Sequence, residues 1–469
     1  MSNSTIHVQP GLEFIPPNFN PQVQKGTKLM LPWWLKFQTS IADIQADNLE
    51  TLAQLYQSFN QGKIRFLMAF RHPSTEDPFC MGYMIWYLLP KIAKQQGITL
   101  PSLLHYHFIY DRGIPLWAGS FVGKWYSYLG GTPIHRGKLD RQGLKSAREL
   151  FANGRLPMMA APEGATNGHN EKVSPLEPGI AQMGFWCVED MLKTGRSEEV
   201  LIVPVGIQYK YLDEPWENIE KLLTKLEKDS GLSPVSEDKS PEKRLAPSSL
   251  YTRLLRLAGH LLATMEDFYR KFYHRELPKA NEETFSQAPL TDDQINETIT
   301  LRLNTLLNAA LEVAEEYFHI QPKGNFIDRC RRLEQAGWDY IYREDIENVA
   351  ALSPVDRALA DRLAEEASLR MWHMRLVESF LAVSGKYIKE KPTVERFADT
   401  TLLLWDMISR IKSGNPLERP KLGKQQVQMT VGQPISVSER WENYQTKRRT
   451  AISEVTQDLQ NALEGMIVS

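Results

Sequence analysis

Apolar and polar residues are patterned differently in two parts of the chain, and each pattern predicts its own kind of structure. Within residues 61–212, short apolar runs such as Gly62–Phe70 and Leu201–Ile207 are typical of buried strands, and segments with helical character lie between them. Strands that alternate with helices in this way indicate an α/β core. Pro204 interrupts the second run, so we expect it at the end of a strand or at a bulge.

Residues 213–426 show the spacing of helices instead. Charged linkers such as Asp229–Lys243 separate stretches in which apolar residues recur every three or four positions, which predicts a mostly helical region. His373 lies within one such stretch and has no metal-ligand type four residues later, so we expect an ordinary core or surface histidine. The apolar stripe of that stretch contains Leu359, Leu363, Ala367, Met371, Met374, Val377 and Leu381.

The two ends of the chain carry shorter patterns. Residues 1–60 are predicted to form an arm that contains Pro32-Trp33-Trp34 and a helix near Ile41 to Phe59. Near the other end, Val427–Ile435 alternates like a strand, and a helix is expected from Ser438 onward. The predicted regions are therefore 1–60, 61–212, 213–426 and 427–469.

Composition narrows the classes of protein that this chain could be. Its 469 residues are 42% apolar and 24% charged, as in ordinary globular proteins, and 55 Lys and Arg against 57 Asp and Glu give no basic excess for nucleic acid. Three cysteines without a CxxC pattern argue against a disulfide framework or a zinc site and indicate a reducing, cytoplasmic compartment. The N-terminus lacks the pattern of a secretory signal, and the run Met81–Leu89 is far shorter than the roughly 20 residues of a transmembrane helix.

The strongest candidate for chemistry is the run RHPSTED at residues 71–77. An imidazole can accept a proton from a hydroxyl near neutral pH, and a carboxylate within reach fixes its tautomer. Pro73 prevents an early helix, and Asp77 before Pro78 is typical of a helix N-cap, so His72 should lie on a strand-to-helix turn. A histidine that only hydrogen-bonds a helix-capping aspartate would give the same spacing.

Three further segments follow the first in order: Gly130–Gly137, Ala161–Gly168 and Ile202–Ile207. Together the four blocks resemble the glycerolipid acyltransferases typified by lysophosphatidate (1-acylglycerol-3-phosphate) acyltransferase and glycerol-3-phosphate acyltransferase. The resemblance covers about a third of the chain, and the ordered set is more specific than any single block.

The resemblance implies a mixed sheet flanked by helices, with His72 as the general base and Asp77 as its orienting partner. A thioester of coenzyme A or acyl carrier protein is already activated, so such an enzyme needs no cofactor and no covalent intermediate. In agreement, no Gly-x-Ser-x-Gly segment is present. The alternating stretch at 427–435 resembles the last strand of the acyltransferase domain, which would make residues 213–426 an insertion. Cys80, Cys187 and Cys330 lie outside the four blocks, and Cys80 is expected in a buried helix.

Four more residues correspond to binding positions of that family. Arg136, Glu163 and Gly164 would bind the polar head of the acceptor, since arginine suits phosphate and glycine lets backbone amides approach a ligand. Pro204 would shape the substrate pocket. Two alternatives remain open: Arg136 as an exposed loop charge, and Glu163 as an acceptor that pins neighbouring loops through their amides.

The blocks also depart from the family pattern at two positions. Arg71 stands where a small polar residue often precedes the histidine, and it could bind phosphate or lie at the surface. Thr166 stands where the third block usually has a second arginine. Lys138 or Lys172 could supply the missing charge from nearby loops.

Residues 250–275 are the candidate for contact with a membrane. Their apolar and basic residues project from opposite sides of a helix, as in helices that lie in a lipid interface. The same stripe would equally pack against helices of its own domain. The apolar positions are Leu254, Leu257, Leu261, Met265, Phe268 and Phe272.

The leading hypothesis is a peripheral membrane O-acyltransferase of the cytoplasm that moves a fatty acyl group from a thioester carrier to a glycerolipid hydroxyl. Lysophosphatidate is the expected acceptor and glycerol-3-phosphate the next, while the missing arginine keeps a non-phosphate acceptor open. The rival hypothesis is a non-catalytic protein of the same fold that binds lipid or acyl carrier protein.

Overall fold

The structure is a computed structural model that divides into two compact units. The sheet unit comprises Phe14–His135, Leu139–Asp213 and Gly423–Ser469, and the helical unit is formed mainly by Glu214–Leu422, joined by the N-terminal residues up to Glu13. The residues described are 6–135, 140–233, 244–278, 292–346, 348–381, 385–415 and 418–467.

Strands lie in both units. In chain order they are β1 (Gln9–Pro10), β2 (Ile41–Asp47), β3 (Ile64–Phe70), β4 (His107–Asp111), β5 (Gly131–Ile134), β6 (Met158–Ala160), β7 (Glu199–Tyr211), β8 (Tyr342–Arg343), β9 (Gln425–Val431) and β10 (Ile435–Ser436). The short β1 and β8 pair with each other in the helical unit, and the other strands belong to the sheet unit.

Helices alternate with these strands in the sheet unit and dominate the helical unit. The first eight are α1 (Pro21–Gln38), α2 (Leu49–Asn60), α3 (Asp77–Tyr83), α4 (Leu89–Gln95), α5 (Ile114–Ala118), α6 (Ser120–Tyr128), α7 (Arg141–Asn153) and α8 (Gly179–Lys193). The helical unit contains α9 (Trp216–Asp229), α10 (Pro247–Tyr273), α11 (Asp292–Phe318), α12 (Phe326–Ile341), α13 (Pro354–Leu381), α14 (Gly385–Glu390) and α15 (Val394–Ile411). The chain closes with α16 (Trp441–Thr446) and α17 (Arg448–Glu464) in the sheet unit.

The sheet is mixed, as predicted, with strand order β2-β9-β7-β3-β6-β4-β5 and with β10 paired to another part of β7. Strands β7, β3, β6, β4 and β5 are parallel, whereas β9 is antiparallel to β7. At the junction with the helical unit, Leu212 N donates to Lys424 O at 3.0 Å and Tyr211 pairs with Gln425. The segment between β7 and β9 therefore leaves and re-enters the sheet at adjacent strands.

Both faces of the sheet are covered by helices. All seven residues of β3 are buried, and they point alternately into two apolar cores. Phe66 and Met68 pack with residues of α1–α4, and Leu67 and Ala69 pack with residues of α7, α8, α16 and α17. This arrangement explains why strands of this region read as continuous apolar runs rather than as alternating ones.

One local prediction is corrected. The helix expected near Ile41 to Phe59 is wrong in its first half, because Ile41–Asp47 is strand β2 and only Leu49–Asn60 is helical. A bulge between Ile41 and Asp43 turns Ile41 and Ile44 toward the same core, which imitates the three-residue spacing of a helix. The run Met81–Leu89 is helical and largely buried, but it contains a π-helical turn, Met84–Leu88, between α3 and α4.

The helical unit is held together by apolar packing and by buried ion pairs between helices. Arg253 donates to Glu227 at 2.6 Å, and both side chains are buried. His373 is a core histidine, as expected: its Nδ1 lies 2.6 Å from the Tyr269 hydroxyl, and burial lowers the pKa of its ring to about 4. The other buried pairs are Arg302 with Glu266 and Arg329 with Glu315.

The apolar stripe of α10 packs within its own unit. Leu254, Leu257, Leu261 and Met265 are buried, and α10 contacts α9, α11 and α15. Phe272 alone of the six stripe residues is largely exposed. The packing alternative therefore describes this helix. Among the described residues, no helix has both the length and the apolarity required to cross a bilayer.

A matched pair of substitutions tests this packing. Leu257→Ala should lower the free energy of unfolding by about 2–5 kcal/mol, because the buried leucine leaves a cavity. Leu301→Ala, at an exposed position of α11, should change it by less than about 0.5 kcal/mol. Denaturant unfolding of both variants measures the difference. Equal effects would contradict the packing of α10 described here.

Candidate active site

His72 lies on the turn between β3 and α3, as predicted. The β3–β7 ladder continues to Arg71, whose N–H donates to Val205 O at 3.0 Å, and His72 follows directly. The predicted N-cap is off by one residue: Glu76 is the N-cap and Asp77 is the first residue of α3. The shift has a clear cause, since the Asp77 carboxylate binds Ser74 N and the His72 and Tyr209 side chains rather than the first-turn amides of α3.

Three groups bind the fully buried carboxylate of Asp77. Its Oδ2 accepts a hydrogen bond from Ser74 N at 2.8 Å and lies 3.0 Å from His72 Nδ1. Its Oδ1 accepts a hydrogen bond from the Tyr209 hydroxyl at 2.5 Å. With Asp77 as the acceptor, the proton of a neutral His72 ring resides on Nδ1, and Nε2 keeps its lone pair. The arrangement can therefore present a base at Nε2.

The free side of the ring faces a threonine. Thr166 Oγ1 lies 3.2 Å from His72 Nε2, so its hydroxyl can donate to that nitrogen. Thr166 is exposed and the His72 side chain is 20% exposed, which leaves Nε2 accessible to a small group. The sequence marked Thr166 only as the place of a missing arginine, and nothing in its spacing indicated contact with His72.

Glu163 accepts hydrogen bonds from backbone amides of neighbouring loops, which is one of the two roles that the sequence left open. Its Oε1 accepts from His72 N at 2.8 Å, and its Oε2 accepts from Asn167 Nδ2 at 2.7 Å and from Ser174 N at 2.9 Å. These bonds fix the backbone of His72 to the third-block loop. Gly164 has φ of +72°, a conformation that glycine adopts without strain, so it allows the loop to turn next to Glu163.

Arg71 is not a surface residue. Its side chain is 1% exposed, and its two Nη atoms donate to main-chain carbonyls of β7 and of the loop before α8. The expectation of a surface position for Arg71 is therefore wrong: its side chain holds that loop against the sheet, and its phosphate role stays a prediction. The acceptors are Asn170 O at 2.8 Å, Ile207 O at 3.0 Å, His169 O at 3.0 Å and Lys172 O at 2.9 Å.

Arg136 and Lys138 lie outside the described residues. The residues on either side of them are held together, because Asp140 Oδ2 accepts from His135 N at 2.9 Å and from Arg112 Nη2 at 2.5 Å. His135, the last described residue before this gap, is thus hydrogen-bonded to Asp140, the first one after it. The role predicted for Arg136 stays a prediction.

Pro204 lies inside β7 rather than at its end. It pairs with Ala69 of β3 on one side, and its carbonyl accepts from Gly432 N at 2.9 Å on the other. Proline has no N–H to donate to a neighbouring strand. Pro204 is tolerated inside β7 because Gly432, its neighbour, lies just beyond the last residue of β9, where the antiparallel ladder ends. The pocket-shaping role of Pro204 stays a prediction.

Tyr209 is the site residue that sequence reasoning missed. It lies in β7 two positions beyond the fourth block, and burial raises the pKa of its hydroxyl well above the usual value, so it stays a donor to Asp77. Asn170 clamps its backbone: Nδ2 donates to Tyr209 O at 2.5 Å and Oδ1 accepts from Tyr209 N at 2.6 Å. The only feature of the sequence that could have indicated Tyr209 is the two-residue alternation of β7. This alternation places its side chain on the same face of the sheet as Val205 and Ile207.

Comparison with known proteins adds no assignment: no family model matches the chain, and no curated protein is significantly similar to it. The resemblance to acyltransferases therefore stays an expectation from the four sequence blocks.

The structural role of Arg71 can be tested directly. Arg71→Ala should lower the free energy of unfolding by about 3 kcal/mol or more, because buried carbonyls lose their donors. Arg155→Ala, which removes an exposed guanidinium from the same unit, should have little effect. Thermal unfolding of the two variants measures the contrast. If the Arg71→Ala protein is as stable as the parent, the contacts of Arg71 do not stabilise the fold. Phosphate binding would then be the better explanation for this arginine.

Proposed function

We propose that this protein is an O-acyltransferase that moves a fatty acyl group from an acyl thioester to a hydroxyl of a glycerolipid. The donor would be acyl-CoA or acyl carrier protein loaded with a fatty acid, and the preferred acceptor 1-acylglycerol-3-phosphate. The observation that carries the proposal is the buried Asp77 carboxylate 3.0 Å from His72 Nδ1, with Nε2 accessible on the other side of the ring.

In the proposed reaction, the acceptor hydroxyl gives its proton to His72 Nε2 as its oxygen attacks the thioester carbonyl. Asp77 holds Nδ1–H and stabilises the imidazolium that forms. The carbon–sulfur bond then breaks, and the departing thiolate takes the proton back from His72. An ester bond replaces the thioester bond, and no other reagent is consumed.

Thr166 indicates where the acceptor hydroxyl would bind. Its hydroxyl lies at hydrogen-bonding distance from Nε2, as the attacking hydroxyl must. We infer that an acceptor displaces Thr166 from this contact. The same geometry, a hydroxyl next to a histidine that is paired with an aspartate, is also that of a covalent nucleophile, which supports a second mechanism for the same transfer.

An acceptor with a phosphate head needs a cation to bind it, and Lys172, exposed on the loop before α8, is one candidate. Arg71 is committed to carbonyl oxygens. If the acceptor carries a phosphate, Arg136 becomes the first candidate to bind it, and an acceptor without phosphate needs no such residue. Comparing acceptors with and without a phosphate therefore tests headgroup recognition separately from the acyl-transfer reaction.

His72→Ala should reduce acyl transfer by about 10² to 10⁴-fold, since a general base is lost. The assay combines a labelled long-chain acyl thioester with lysophosphatidate, glycerol-3-phosphate, a neutral monoacylglycerol or a lysophospholipid without a terminal phosphate. His7→Ala is the matched control, because His7 Nδ1 also lies near an aspartate, Asp361, at 3.1 Å but is exposed. It should leave transfer unchanged.

Two outcomes would overturn the proposal. If His72→Ala transfers acyl groups at the parental rate, His72 is not the general base. If the folded parent protein transfers to none of the acceptors, the result favours the non-catalytic hypothesis of a lipid-binding or carrier-binding protein. Binding of acyl carrier protein or of lipid without turnover would then be the activity to pursue.

Thr166→Val separates the direct mechanism from the covalent one. In direct attack, Thr166 only occupies the acceptor's place, so the variant should transfer at or above the parental rate. Thr166→Ser, which keeps the hydroxyl, is the control. A loss as severe as that of His72→Ala, together with acylated Thr166 detected in the parent by mass spectrometry, would establish the covalent mechanism instead.

A further inference from the structure

Helix α1 carries two apolar faces, although a helix on a protein surface normally has one. Its inner face contains Leu31 and Leu35, which are buried in the core of the sheet unit. On the same side, the Trp34 ring packs on Phe79 of α3 with ring centroids 5.9 Å apart. The inner face therefore explains how α1 is attached to the unit.

The outer face of α1 is exposed and built from large apolar side chains. Leu29, Trp33 and Phe37 follow one another at intervals of four residues, so they line one side of the helix. The Trp33 and Phe37 rings lie 5.5 Å apart and form a continuous apolar surface. Exposed fractions are 78% for Leu29, 62% for Met30, 54% for Trp33 and 57% for Phe37.

Such a surface is unfavourable in water, because large apolar side chains that are usually buried on folding are exposed side by side. Isolated exposed apolar residues are common, but a contiguous group that includes aromatic rings marks an interaction site. The outer face of α1 therefore indicates a binding partner.

The charges of α1 select the kind of partner. The helix contains Lys25, Lys28 and Lys36 and no aspartate or glutamate. Lys36 Nζ lies 5.5 Å from the centre of the Phe37 ring, and Lys28 Nζ lies 5.5 Å from that of Tyr87. Cations at the border of an apolar face that contains tryptophan are suited to a lipid interface with anionic headgroups, where the rings enter the acyl boundary and the lysines remain among phosphates.

We propose that α1 binds the surface of an anionic lipid bilayer through Leu29, Met30, Trp33 and Phe37, with its lysines facing the headgroups. This contact replaces the one expected for residues 250–275, whose apolar stripe is largely buried. Binding requires no catalytic step, so it stands or falls independently of the acyltransferase chemistry. If both proposals hold, the Trp34–Phe79 contact joins the bound helix to the helix that begins with Asp77.

The test is sedimentation of the full chain with vesicles of phosphatidylcholine, alone or mixed with phosphatidylglycerol. The parent should bind the mixed vesicles, and Trp33→Ser with Phe37→Ser should weaken that binding by about tenfold or more. Val355→Ser with Leu359→Ser is the matched control, since these exposed residues are also four apart, on α13. This control should bind like the parent.

Three further variants assign the contact. Phe272→Ser, in α10, should leave binding unchanged. Lys25→Gln and Lys36→Gln, at exposed positions, should each weaken binding to the mixed vesicles by about fivefold at low salt and by less as salt increases.

Three results would overturn the proposal. One is unchanged vesicle binding by the Trp33 and Phe37 double variant, with circular dichroism showing that it is folded. Another is loss of binding in Phe272→Ser alone, which would assign the contact to α10. The third is a dimer of the parent, seen by analytical ultracentrifugation, that the double variant converts to monomer without any change in vesicle binding. A second copy of the chain would then be the partner of this face.

Discussion

The buried carboxylate of Asp77 is the constraint on which the geometry around His72 depends. A carboxylate without access to water is tolerated only when its oxygens accept hydrogen bonds. Here the donors come from the turn after β3, from the His72 ring and from Tyr209 of β7. The orientation of the imidazole is therefore set by the packing of α3 against β7 and not by the local turn alone.

Two more buried charges stabilise the surroundings of that pair. Arg71 binds carbonyls of β7 and of the loop before α8, and Glu163 binds amides of His72 and of the same loop. Both side chains are thus used to hold backbone in place. A loop fixed in this way keeps the ring and its neighbours preorganised, which favours a reaction that relies on position more than on a covalent intermediate.

Much of the sheet unit could be predicted from the sequence, because β3, the turn at Pro73 and α3 are determined by local patterns. Tyr209 and Thr166 could not, since they meet Asp77 and His72 across 132 and 94 residues of chain. The error at Ile41–Asp47 arose because a bulge imitates helical spacing. Amphipathic helices posed a different difficulty: spacing shows that α1 and α10 have apolar faces, but only the neighbours decide which face is covered.

The connection between β7 and β9 gives the helical unit an unusual place in the chain. Tyr211 pairs with Gln425, so these antiparallel neighbours are joined as in a β-hairpin whose loop contains Glu214–Leu422, the main part of the helical unit. The entropic cost of closing a loop rises only with the logarithm of its length. Insertions at this hairpin could therefore lengthen during evolution while the register of the central strands, and with it the position of Tyr209, stayed the same.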